Sequence, residues 1–345
     1  MGILITGGIG FIGTHLSDYF LSRGERVIVI DNFSRRGADL NAEWLRGRHG
    51  ALLEIVRADL RTDVDVLKKY IEKAEAVFHL AAQVAVTNSL EDPREDFEIN
   101  ILGTVNLLET IRASDNRPFL LYASTNKVYG SLEDLPVKEE DLCYAFKNLP
   151  GGVPEERPLD FHTPYACSKG AADQYVRDYA RVYGLDTVVF RQSCIYGTRQ
   201  FGVEDQGWVA HFVISIILGR PLNIFGNGKQ VRDVLYVDDL ARLMDAAYRK
   251  RETASGRVYN VGGGPKNTLS LMQLIKMMED LTGREVKYAC KEMRTGDQLM
   301  FIADISKACQ ELGWRPTVSP RAGVEKLCRW IEENQPLFLR FYGDP

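Results

Sequence analysis

Short apolar runs alternate with amphipathic segments through the first half of this 345-residue chain. Residues 12, 15, 16, 19 and 20 follow the i, i+3, i+4 spacing of one helix face, and similar segments separate the other runs. Strands that alternate with helices predict a parallel sheet covered on both faces. We therefore predict a doubly wound α/β fold of the Rossmann type. The predicted strands are residues 3–5, 27–30, 53–56, 77–80, 119–122 and 187–190.

The pattern changes in the second half of the chain, where glycine and proline become more frequent and the apolar runs shorten. Helical periodicity returns at 271–281 and 323–333. A chain of this length is expected to form more than one lobe. We predict that residues 1–190 form the Rossmann domain and residues 191–345 a smaller mixed α/β lobe, partly interleaved with it. Residues 132–164, rich in proline, glycine and acidic side chains, are predicted to lie as an insertion over the site.

Composition and charge exclude several classes of protein. Hydrophobic residues make up 45% of the chain and charged residues 26%, which excludes a disordered polymer. The net charge of -4 argues against a nucleic-acid partner, because binding a phosphate backbone requires a basic surface. The longest apolar run, near 209–218, is too short to span a membrane, which takes about 20 residues, so we expect no membrane association.

The six cysteines are scattered along the chain, without a Cys-x-x-Cys pair and without a histidine at metal-ligand spacing. We therefore expect free thiols, a reducing cytoplasmic location and no metal site. No basic segment precedes the first predicted strand, so we also expect no cleaved leader.

A glycine-rich turn follows the first predicted strand and opens a helix, in the run TGGIGFIG at 6–13. Gly7 permits a tight turn, Gly10 lets a pyrophosphate approach the backbone, and Gly13 lets the helix pack closely on the strand. Asp31 ends the second predicted strand, 18 residues after Gly13, where a carboxylate can accept hydrogen bonds from ribose hydroxyls. The combination predicts a dinucleotide site, with a purely structural turn as the weaker alternative.

The charge of Asp31 favours NAD over NADP, because a carboxylate repels a 2′-phosphate, although Arg35 and Arg36 would weaken that repulsion. Residues 79–83 (HLAAQ) end the fourth predicted strand with small side chains, which suit a ligand that crosses the sheet at that point. His79 itself is expected to be a core histidine rather than a catalyst.

A second set of candidate residues joins the end of the fifth strand to a predicted helix. Tyr165 and Lys169 are four residues apart and therefore share one helix face. A tyrosine is a poor base at neutral pH because its pKa is about 10, but a neighbouring ammonium and a positive nicotinamide ring favour the phenolate. The hydroxyl of Thr125, which follows Ser124, can hydrogen-bond the same substrate oxygen. Their coincidence with the glycine turn makes these residues candidates for catalysis.

Taken together, these motifs resemble the extended short-chain dehydrogenase/reductase superfamily, in its NAD-dependent nucleotide-sugar epimerase/dehydratase branch. The resemblance covers nearly the whole chain. It includes the runs FRQSCIYG at 190–197, GNGKQVRD at 226–233 and RTGD at 294–297. It implies a Rossmann fold, an NAD cofactor and a nucleotide-sugar substrate.

The resemblance also implies roles for individual residues. Thr125, Tyr165 and Lys169 would form the catalytic group, and Arg232 and Arg294 would hold a nucleotide diphosphate, whose oxygens match the planar guanidinium fork. Each arginine taken singly is also compatible with a surface ion pair. The implied cofactor residues are Gly7, Gly10, Phe11, Ile12, Gly13, Asp31, Asn32, Ser34, Arg35, Asp59, Leu60, Leu80, Ala81, Ala82, Gln83, Asn100, Tyr165 and Lys169. The implied substrate residues are Thr125, Asn126, Gln192, Ser193, Gln206, Arg232, Arg294 and Asp297.

The residues after Thr125 distinguish the subfamilies. In the 4,6-dehydratases an Asp-Glu pair follows that threonine, and in the sugar decarboxylases a Glu commonly occupies the second position, whereas this chain has Asn126 and Lys127. An asparagine cannot supply a proton at neutral pH, so dehydration is disfavoured. With Phe201 and the run DQGW at 205–208, the Asn-Lys pair makes the chain resemble the CDP-paratose 2-epimerase family, also called CDP-tyvelose epimerases.

That resemblance implies a reaction in which a sugar hydroxyl at carbon 2 is oxidised to a ketone and hydride returns to the opposite face, with no net redox change. Tyr165 would take the hydroxyl proton, Thr125 would position the oxygen, and Lys169 would stabilise the phenolate. Lys127 is a candidate for proton transfer. The alternative is a lysine that binds a backbone carbonyl or the substrate.

Other functions stay open at this point. A related epimerase with another nucleotide, such as a UDP-sugar 4-epimerase, would keep most of these features. A nucleotide-sugar reductase and a non-catalytic NAD-binding protein are weaker alternatives, the latter because such proteins tend to lose the tyrosine or the lysine. Residues 97–112 and 165–183 resemble the helix pair of a superfamily dimer interface. We therefore expect a homodimer, unless their apolar faces only cover the sheet.

Overall fold

The computed structural model describes residues 2–293 and 297–342. In chain order, the strands of this part are β1 (Gly2–Thr6), β2 (Val27–Asp31), β3 (Leu53–Arg57), β4 (Ala74–His79), β5 (Phe119–Thr125), β6 (Val137–Glu139), β7 (Tyr144–Phe146), β8 (Thr187–Gln192), β9 (Cys194–Tyr196), β10 (Asn223–Phe225), β11 (Val231–Tyr236), β12 (Val258–Val261), β13 (Thr268–Ser270), β14 (Ala289–Lys291) and β15 (Met300–Phe301).

The α-helices of the described residues are α1 (Phe11–Leu21), α2 (Ala38–His49), α3 (Val64–Ile71), α4 (Val86–Glu91), α5 (Pro93–Phe97), α6 (Gly103–Ala113), α7 (Pro164–Tyr183), α8 (Trp208–Ile217), α9 (Val237–Arg249), α10 (Arg251–Ala254), α11 (Leu271–Thr282), α12 (Ser306–Leu312), α13 (Pro320–Glu333) and α14 (Gln335–Tyr342). A π-helical turn at Glu98–Leu102 joins α5 to α6, and 3₁₀ turns form at Gly50–Leu52 and Asn126–Tyr129.

In the described part of the chain, seven strands form one wholly parallel sheet in the order β12-β8-β5-β4-β1-β2-β3. The apolar run of strand β1 is explained by burial on both faces of the sheet. Ile3 and Ile5 belong to the core on one face of the sheet, and Leu4 belongs to the core on the other face. The predicted doubly wound fold is confirmed, and each predicted strand overlaps an observed one.

The strand β12 comes from the second half of the chain and was missing from the prediction. Its run VYNV is short and contains a polar residue, but Asn260 is fully buried and satisfied, since its amide donates to the Val153 carbonyl at 2.8 Å and accepts from the Tyr129 hydroxyl at 2.7 Å. Helix α9, also from the second half, packs Leu243 on the sheet core. Segments beyond residue 190 thus complete the sheet domain, and the division at that residue stays a prediction.

The smaller lobe is mixed. Strand β11 pairs in parallel with β9 and β15 and antiparallel with β13, while β10 and β14 form a separate parallel pair. Helices α8, α11 and α13 contribute Val213, Leu274 and Leu327 to one shared core. The predicted helices at 271–281 and 323–333 are observed as α11 and α13.

Residues 132–164 connect the two lobes. They contain the antiparallel hairpin β6–β7, and Val153 forms a parallel bridge with Ala303. Tyr129, in the 3₁₀ turn that follows β5, stacks on Phe301 with ring centroids 6.0 Å apart. Because this contact lies next to Thr125, the smaller lobe is held against the end of β5.

Within the described residues, no helix combines the length and apolar character needed to cross a membrane. The same residues contain no group of three His, Cys, Asp or Glu side chains placed to hold a metal ion. All six cysteines are described, and each is a free thiol.

Candidate active site

The predicted site residues gather where parallel strands end. Thr6 ends β1, Asp31 ends β2, His79 ends β4, Thr125 ends β5 and Gln192 ends β8. Because the carboxyl ends of parallel strands share one edge of a sheet, these positions lie along a single edge, which we call the C-terminal rim. The loops that leave the rim carry most of the other candidate residues.

The glycine turn is sterically required. Gly7 has φ of +67°, and a Cβ there would lie 2.7 Å from the Ala81 nitrogen. A Cβ at Gly13 would lie 2.2 Å from the Gly7 carbonyl oxygen, so α1 packs against the turn without room for a side chain. A Cβ at Gly10 would meet the Gly7 carbonyl oxygen at 3.2 Å. The roles predicted for Gly7 and Gly13, a tight turn and close packing, match these distances.

The first turn of α1 is suited to an anion. The helix begins at Phe11, its N-cap is Gly10, no side chain caps it, and its first turn contains no acidic residue. The first N–H groups of a helix have no intrahelical acceptor, and the helix dipole is positive at this end. The N–H groups of Phe11, Ile12 and Gly13 can therefore bind a diphosphate, so this part of the chain fits a dinucleotide.

Asp31 supports the glycine turn from the end of β2. Its Oδ1 accepts a hydrogen bond from the Phe33 backbone N–H at 2.9 Å, and its Oδ2 accepts one from Ile9 at 3.4 Å. Burial raises the pKa of Asp31, while these two bonds lower it. The carboxylate is half-buried and retains acceptor capacity for ribose hydroxyls.

Asp59 is held in place by two neighbours. Asn32 Nδ2 donates to its Oδ2 at 3.0 Å, and Arg61 pairs with the same oxygen at 2.8 Å. The hydrogen bonds from Arg61 hold the pKa of Asp59 well below its usual range. Asn32 and Asp59, both predicted cofactor residues, are therefore bonded to each other. The other candidates of this region are the exposed Ser34 and Arg35 and the buried Leu60.

The loop after β4 is fixed by an asparagine from the π-helical turn. Asn100 is 1% exposed, its Oδ1 accepts from the Gln83 backbone N–H at 2.9 Å, and its Nδ2 donates to the Gln83 carbonyl at 3.1 Å. The loop formed by residues 80–83 is half-buried. Two predicted cofactor residues, Gln83 and Asn100, are thus brought together and hold the loop in one conformation.

His79 is a core histidine, as expected. Its ring nitrogens lie 2.7 Å from the Thr6 hydroxyl and 2.9 Å from the Thr104 hydroxyl. The side chain is fully enclosed, and burial, followed by the charge of Lys169, lowers the pKa of His79 to about 3. The imidazole is neutral at physiological pH and both of its nitrogens are engaged.

Helix α7 brings Tyr165 to Thr125. The helix begins at Pro164, and the Thr163 hydroxyl caps it by accepting from the Ala166 N–H at 3.4 Å. Burial raises the pKa of Tyr165 to about 12, and the neighbouring Thr125 side chain acts in the opposite direction. The two hydroxyls predicted to act on one substrate oxygen are therefore neighbours.

Lys169 lies one turn after Tyr165, with its Nζ 4.3 Å from the centroid of the Tyr122 ring. Burial lowers the pKa of Lys169 to about 7, and the carboxylates of Asp96 and Asp173 raise it. We expected the Lys169 ammonium, together with a positive nicotinamide ring, to lower the pKa of Tyr165. In the structure, burial is the largest effect on that pKa and favours the neutral phenol, so a positive cofactor ring would have to act against it.

Asp297 lies between two cations of the predicted substrate site. Its Oδ1 accepts a hydrogen bond from Arg232 at 2.7 Å and is 3.9 Å from the Lys127 Nζ. Burial, and then the charge of Arg232, lower the pKa of Lys127 to about 8, while Asp297 raises it. Three predicted residues thus form one cluster. Arg294, predicted to share the diphosphate with Arg232, lies outside the described residues.

Two glutamines of the predicted substrate site keep unused hydrogen-bonding groups. Gln192 Nε2 and Gln206 Oε1 are buried without a hydrogen-bond partner in the described part of the chain. Ser193 differs, because its hydroxyl already donates to the Asp233 carboxylate at 2.5 Å. The amide of Asn126 donates to Gln298 Oε1 at 3.2 Å. An unpaired buried amide is costly, so Gln192 and Gln206 are the members of this group that a ligand would satisfy.

Three residues that contact the candidate site were absent from the sequence-based site. Asp173 follows Lys169 by four residues on the same helix face, a spacing that could have identified it. Asp96 and Gln298 come from distant segments. Only the folded chain places Asp96 near Lys169 and Gln298 against Asn126.

Comparisons with known proteins identify the family of the chain. A family model described as GDP-mannose 4,6 dehydratase matches residues 4–327. The chain is 44% identical over 338 residues to the CDP-paratose 2-epimerase of Salmonella typhi, a match that covers 96% of this chain and 99% of that protein. These findings confirm the resemblance inferred from the motifs.

Solved structures of related enzymes share the whole fold. The UDP-glucuronic acid 4-epimerase of Bacillus cereus, in complex with UDP-glucuronic acid and NAD, is 29% identical with a TM-score of 0.83, covering 96% of this chain and 99% of that one. The dTDP-glucose 4,6-dehydratase of Streptomyces venezuelae, with NAD bound, is 29% identical with a TM-score of 0.83, covering 98% of this chain and 100% of that one. The chain therefore belongs to the GDP-mannose 4,6 dehydratase family of extended short-chain dehydrogenases/reductases.

Proposed function

We propose that this protein is an NAD-dependent epimerase of a CDP-activated sugar, which inverts carbon 2 and so interconverts CDP-paratose and CDP-tyvelose. The observation that carries the proposal is that α7 packs on β5 and places Tyr165, one helical turn from Lys169, near Thr125, which is followed by Asn126 and Lys127 where a dehydratase would need an acid and a base. The relative named CDP-paratose 2-epimerase, matched over nearly its whole length, supports this choice of substrate.

The cofactor site would be formed by the glycine turn, the first turn of α1 and the loop after β4. Phe11, Ile12 and Gly13 would hold the diphosphate through their N–H groups, and Asp31 would bind the adenosine ribose. When bound, NAD supplies the hydride acceptor for the oxidation and the hydride donor for the return. The carboxylate of Asp31 is the feature that favours NAD over NADP.

The side chains at the C-terminal rim would accept the proton of the sugar hydroxyl and later return it. Tyr165 takes that proton as the ketone forms and gives it back when the alcohol is restored. Thr125, which lies near Tyr165, keeps the phenol oxygen and the sugar oxygen aligned. Lys169, one turn further along α7, offsets the negative charge of the phenolate.

The cluster of Lys127, Arg232 and Asp297 would receive the diphosphate of the substrate. A diphosphate carries more negative charge than the Asp297 carboxylate and would compete with it for the two cations. Lys127 would then bind substrate rather than transfer a proton. Gln192, with its unpaired Nε2, would donate to the sugar.

The decisive experiment is incubation of the purified protein with CDP-, UDP-, GDP- and dTDP-sugars, with product stereochemistry followed by NMR. We expect inversion at carbon 2 of CDP-paratose or CDP-tyvelose without added cofactor. Inactivity on every CDP-sugar would overturn the proposal. Inversion at carbon 4 of a UDP-sugar would establish the second candidate, which the resemblance to UDP-sugar 4-epimerases supports.

We also propose that the protein works as a cytoplasmic homodimer. Leu102 in the π-helical turn and Tyr175 and Val182 on α7 are exposed apolar side chains on helices that pack together. The free thiols suit a reducing compartment. Light scattering after gel filtration should give twice the mass of one chain. Val182→Asp should give monomers, and Leu339→Asp, at another exposed apolar position, should not; a monomeric wild type would contradict the proposal.

A further inference from the structure

Asp96 is a buried carboxylate that no role proposed so far uses. It is 1% exposed in the short helix α5. Its Oδ1 accepts hydrogen bonds from Gln83 Nε2 at 2.9 Å and Asn100 Nδ2 at 3.2 Å. Its Oδ2 is buried and has no hydrogen-bond partner of normal geometry in the described residues. A buried carboxylate is costly without a compensating positive charge.

The neighbouring positive charge is Lys169. Helix α5 packs against α7. Burial raises the pKa of Asp96 and the charge of Lys169 lowers it, while burial lowers the pKa of Lys169 and the charge of Asp96 raises it. The other carboxylate near Lys169 is Asp173, which already forms a bidentate pair with Arg191 at 2.9 and 3.1 Å. The hydrogen bonds to Asp96 come from neutral amides, which do not offset its charge. Lys169 is therefore the cation that balances the charge of Asp96.

The titratable groups that face this pair are few. Tyr165 lies on α7, Tyr122 projects from β5, and His79 at the end of β4 is neutral. The Asp96 carboxylate raises the pKa of both Tyr165 and Lys169. Removing its charge would therefore lower the pKa of both groups, because each loses a negative neighbour.

Asp96 is also connected to α7, the helix of Tyr165 and Lys169, through a series of hydrogen bonds. Asn100, one of its two donors, also donates to the Ser168 hydroxyl at 3.0 Å, and Ser168 in turn donates to the Tyr165 carbonyl at 3.1 Å. Gln83, its other donor, belongs to the loop after β4. The carboxylate thus joins α7 to two segments of the predicted cofactor site.

We propose that Asp96 is a positioning residue that sets the charge of the Tyr165–Lys169 pair, acting through Lys169 without touching the substrate. The inference rests on the proposed function, because it assigns Asp96 to the same catalytic pair. Asp96 keeps Lys169 in its ammonium form near neutral pH and, through Gln83, Asn100 and Ser168, keeps α7 in register with the loop after β4.

The first test measures Lys169 without any substrate. Protein labelled with ¹³C at the lysine Cε is titrated by NMR, and the Lys169 resonance is assigned by its loss in Lys169→Arg. The wild-type midpoint is expected at about 7. Asp96→Asn should lower it by roughly one pH unit, and Asp96→Glu, which keeps the charge, should restore most of the difference. An unchanged midpoint in Asp96→Asn overturns the proposal. If Asp96→Asn does not fold, Asp96→Ser is titrated in its place.

The second test measures the pH dependence of kcat for epimerisation. Asp96→Asn should move the basic limb of the profile to lower pH, because Lys169 then loses its ammonium form at lower pH, whereas a purely structural role would reduce kcat at every pH without moving the limb. Glu95→Gln, an exposed carboxylate on the same helix, is the matched control and should leave the limb in place. If the protein fails on all sugar nucleotides, the function is wrong, and the NMR titration still decides the role of Asp96.

Discussion

Thr125 and Gln192 are register partners at the last positions of the adjacent parallel strands β5 and β8. The Thr125 hydroxyl is near Tyr165 and is already bonded to Asn126 Oδ1 at 3.4 Å, whereas the Nε2 of Gln192 has no partner in the described chain. The two strand ends therefore present different chemistry side by side. One holds a hydroxyl that already has a partner, and the other offers a donor to a ligand.

Gln192→Leu should raise the KM for the nucleotide sugar about tenfold, because it removes one hydrogen bond to substrate, worth about 1 to 1.5 kcal/mol. The midpoint of thermal unfolding should stay the same or rise, because Gln192 Nε2 has no hydrogen-bond partner among the described residues and the substitution therefore breaks no bond of this group. Steady-state kinetics and thermal unfolding of the same preparation test both statements. An unchanged KM would show that Gln192 does not face the substrate.

Tyr165→Phe should reduce kcat by about 10² to 10⁴, the usual contribution of a positioned acid or base, while leaving the fold intact. The matched control is Tyr288→Phe, which removes a hydroxyl from an exposed tyrosine and should keep wild-type turnover. Product formation is followed by NMR. Turnover of Tyr165→Phe near the wild-type rate would rule out a proton-transfer role for this phenol.

The epimerised carbon should carry no deuterium when the wild-type protein turns over in deuterated water, because hydride returns directly and Lys127 does not exchange a carbon-bound proton. Lys127→Gln should weaken substrate affinity and retain measurable turnover, since the cation lies beside Asp297 and Arg232. Mass spectrometry of the product decides. Deuterium at that carbon in the wild type, lost in Lys127→Gln, would instead make Lys127 the base.

Arg191→Met should destabilise the protein by about 3 to 5 kcal/mol, because it leaves the fully buried Asp173 carboxylate without its cation. Arg94→Met breaks an exposed pair with Glu98 and should cost less than about 1 kcal/mol. Urea unfolding at constant pH compares the two variants. Equal losses would mean that the buried pair does not organise α7 against β8.

The stability of the protein should fall as the pH drops below about 6.5, in part because of His79. The pKa of His79 is about 3 in the folded chain and about 6.5 in the unfolded chain. Between these two pKa values the unfolded chain binds a proton that the folded chain does not. His79→Gln should reduce the stability difference between pH 7 and pH 5 by roughly 1 to 2 kcal/mol. Urea unfolding at both pH values measures this, and an unchanged stability difference in His79→Gln would contradict the prediction.

The sequence predicted the parallel sheet well, because strands covered on both faces are continuously apolar and stand out from the amphipathic helices. It missed β12, where Asn260 interrupts a run of only four residues. The reason is physical: the polar side chain is satisfied by Tyr129 and Val153, which are distant in sequence, and a local pattern cannot reveal such partners.

The candidate site was predictable as far as it depends on local spacing. The glycine turn and the Tyr165–Lys169 pair follow from short-range geometry, and the structure places the pair beside Thr125. The contribution of Asp96 and the sharing of Asp297 by two cations depend on contacts between distant segments. The balance of burial and charge on Tyr165 likewise requires the folded environment.

The position of β12 has a consequence for synthesis on the ribosome. Until residues 258–261 emerge, β8 is an edge strand whose outer N–H and C=O groups are unpaired. Folding therefore cannot be completed one lobe at a time as the chain lengthens, although domains often fold as units from the N-terminus. A nascent chain that stops after β8 would expose an unpaired strand edge to which other chains could pair. The two halves must therefore fold as one cooperative unit.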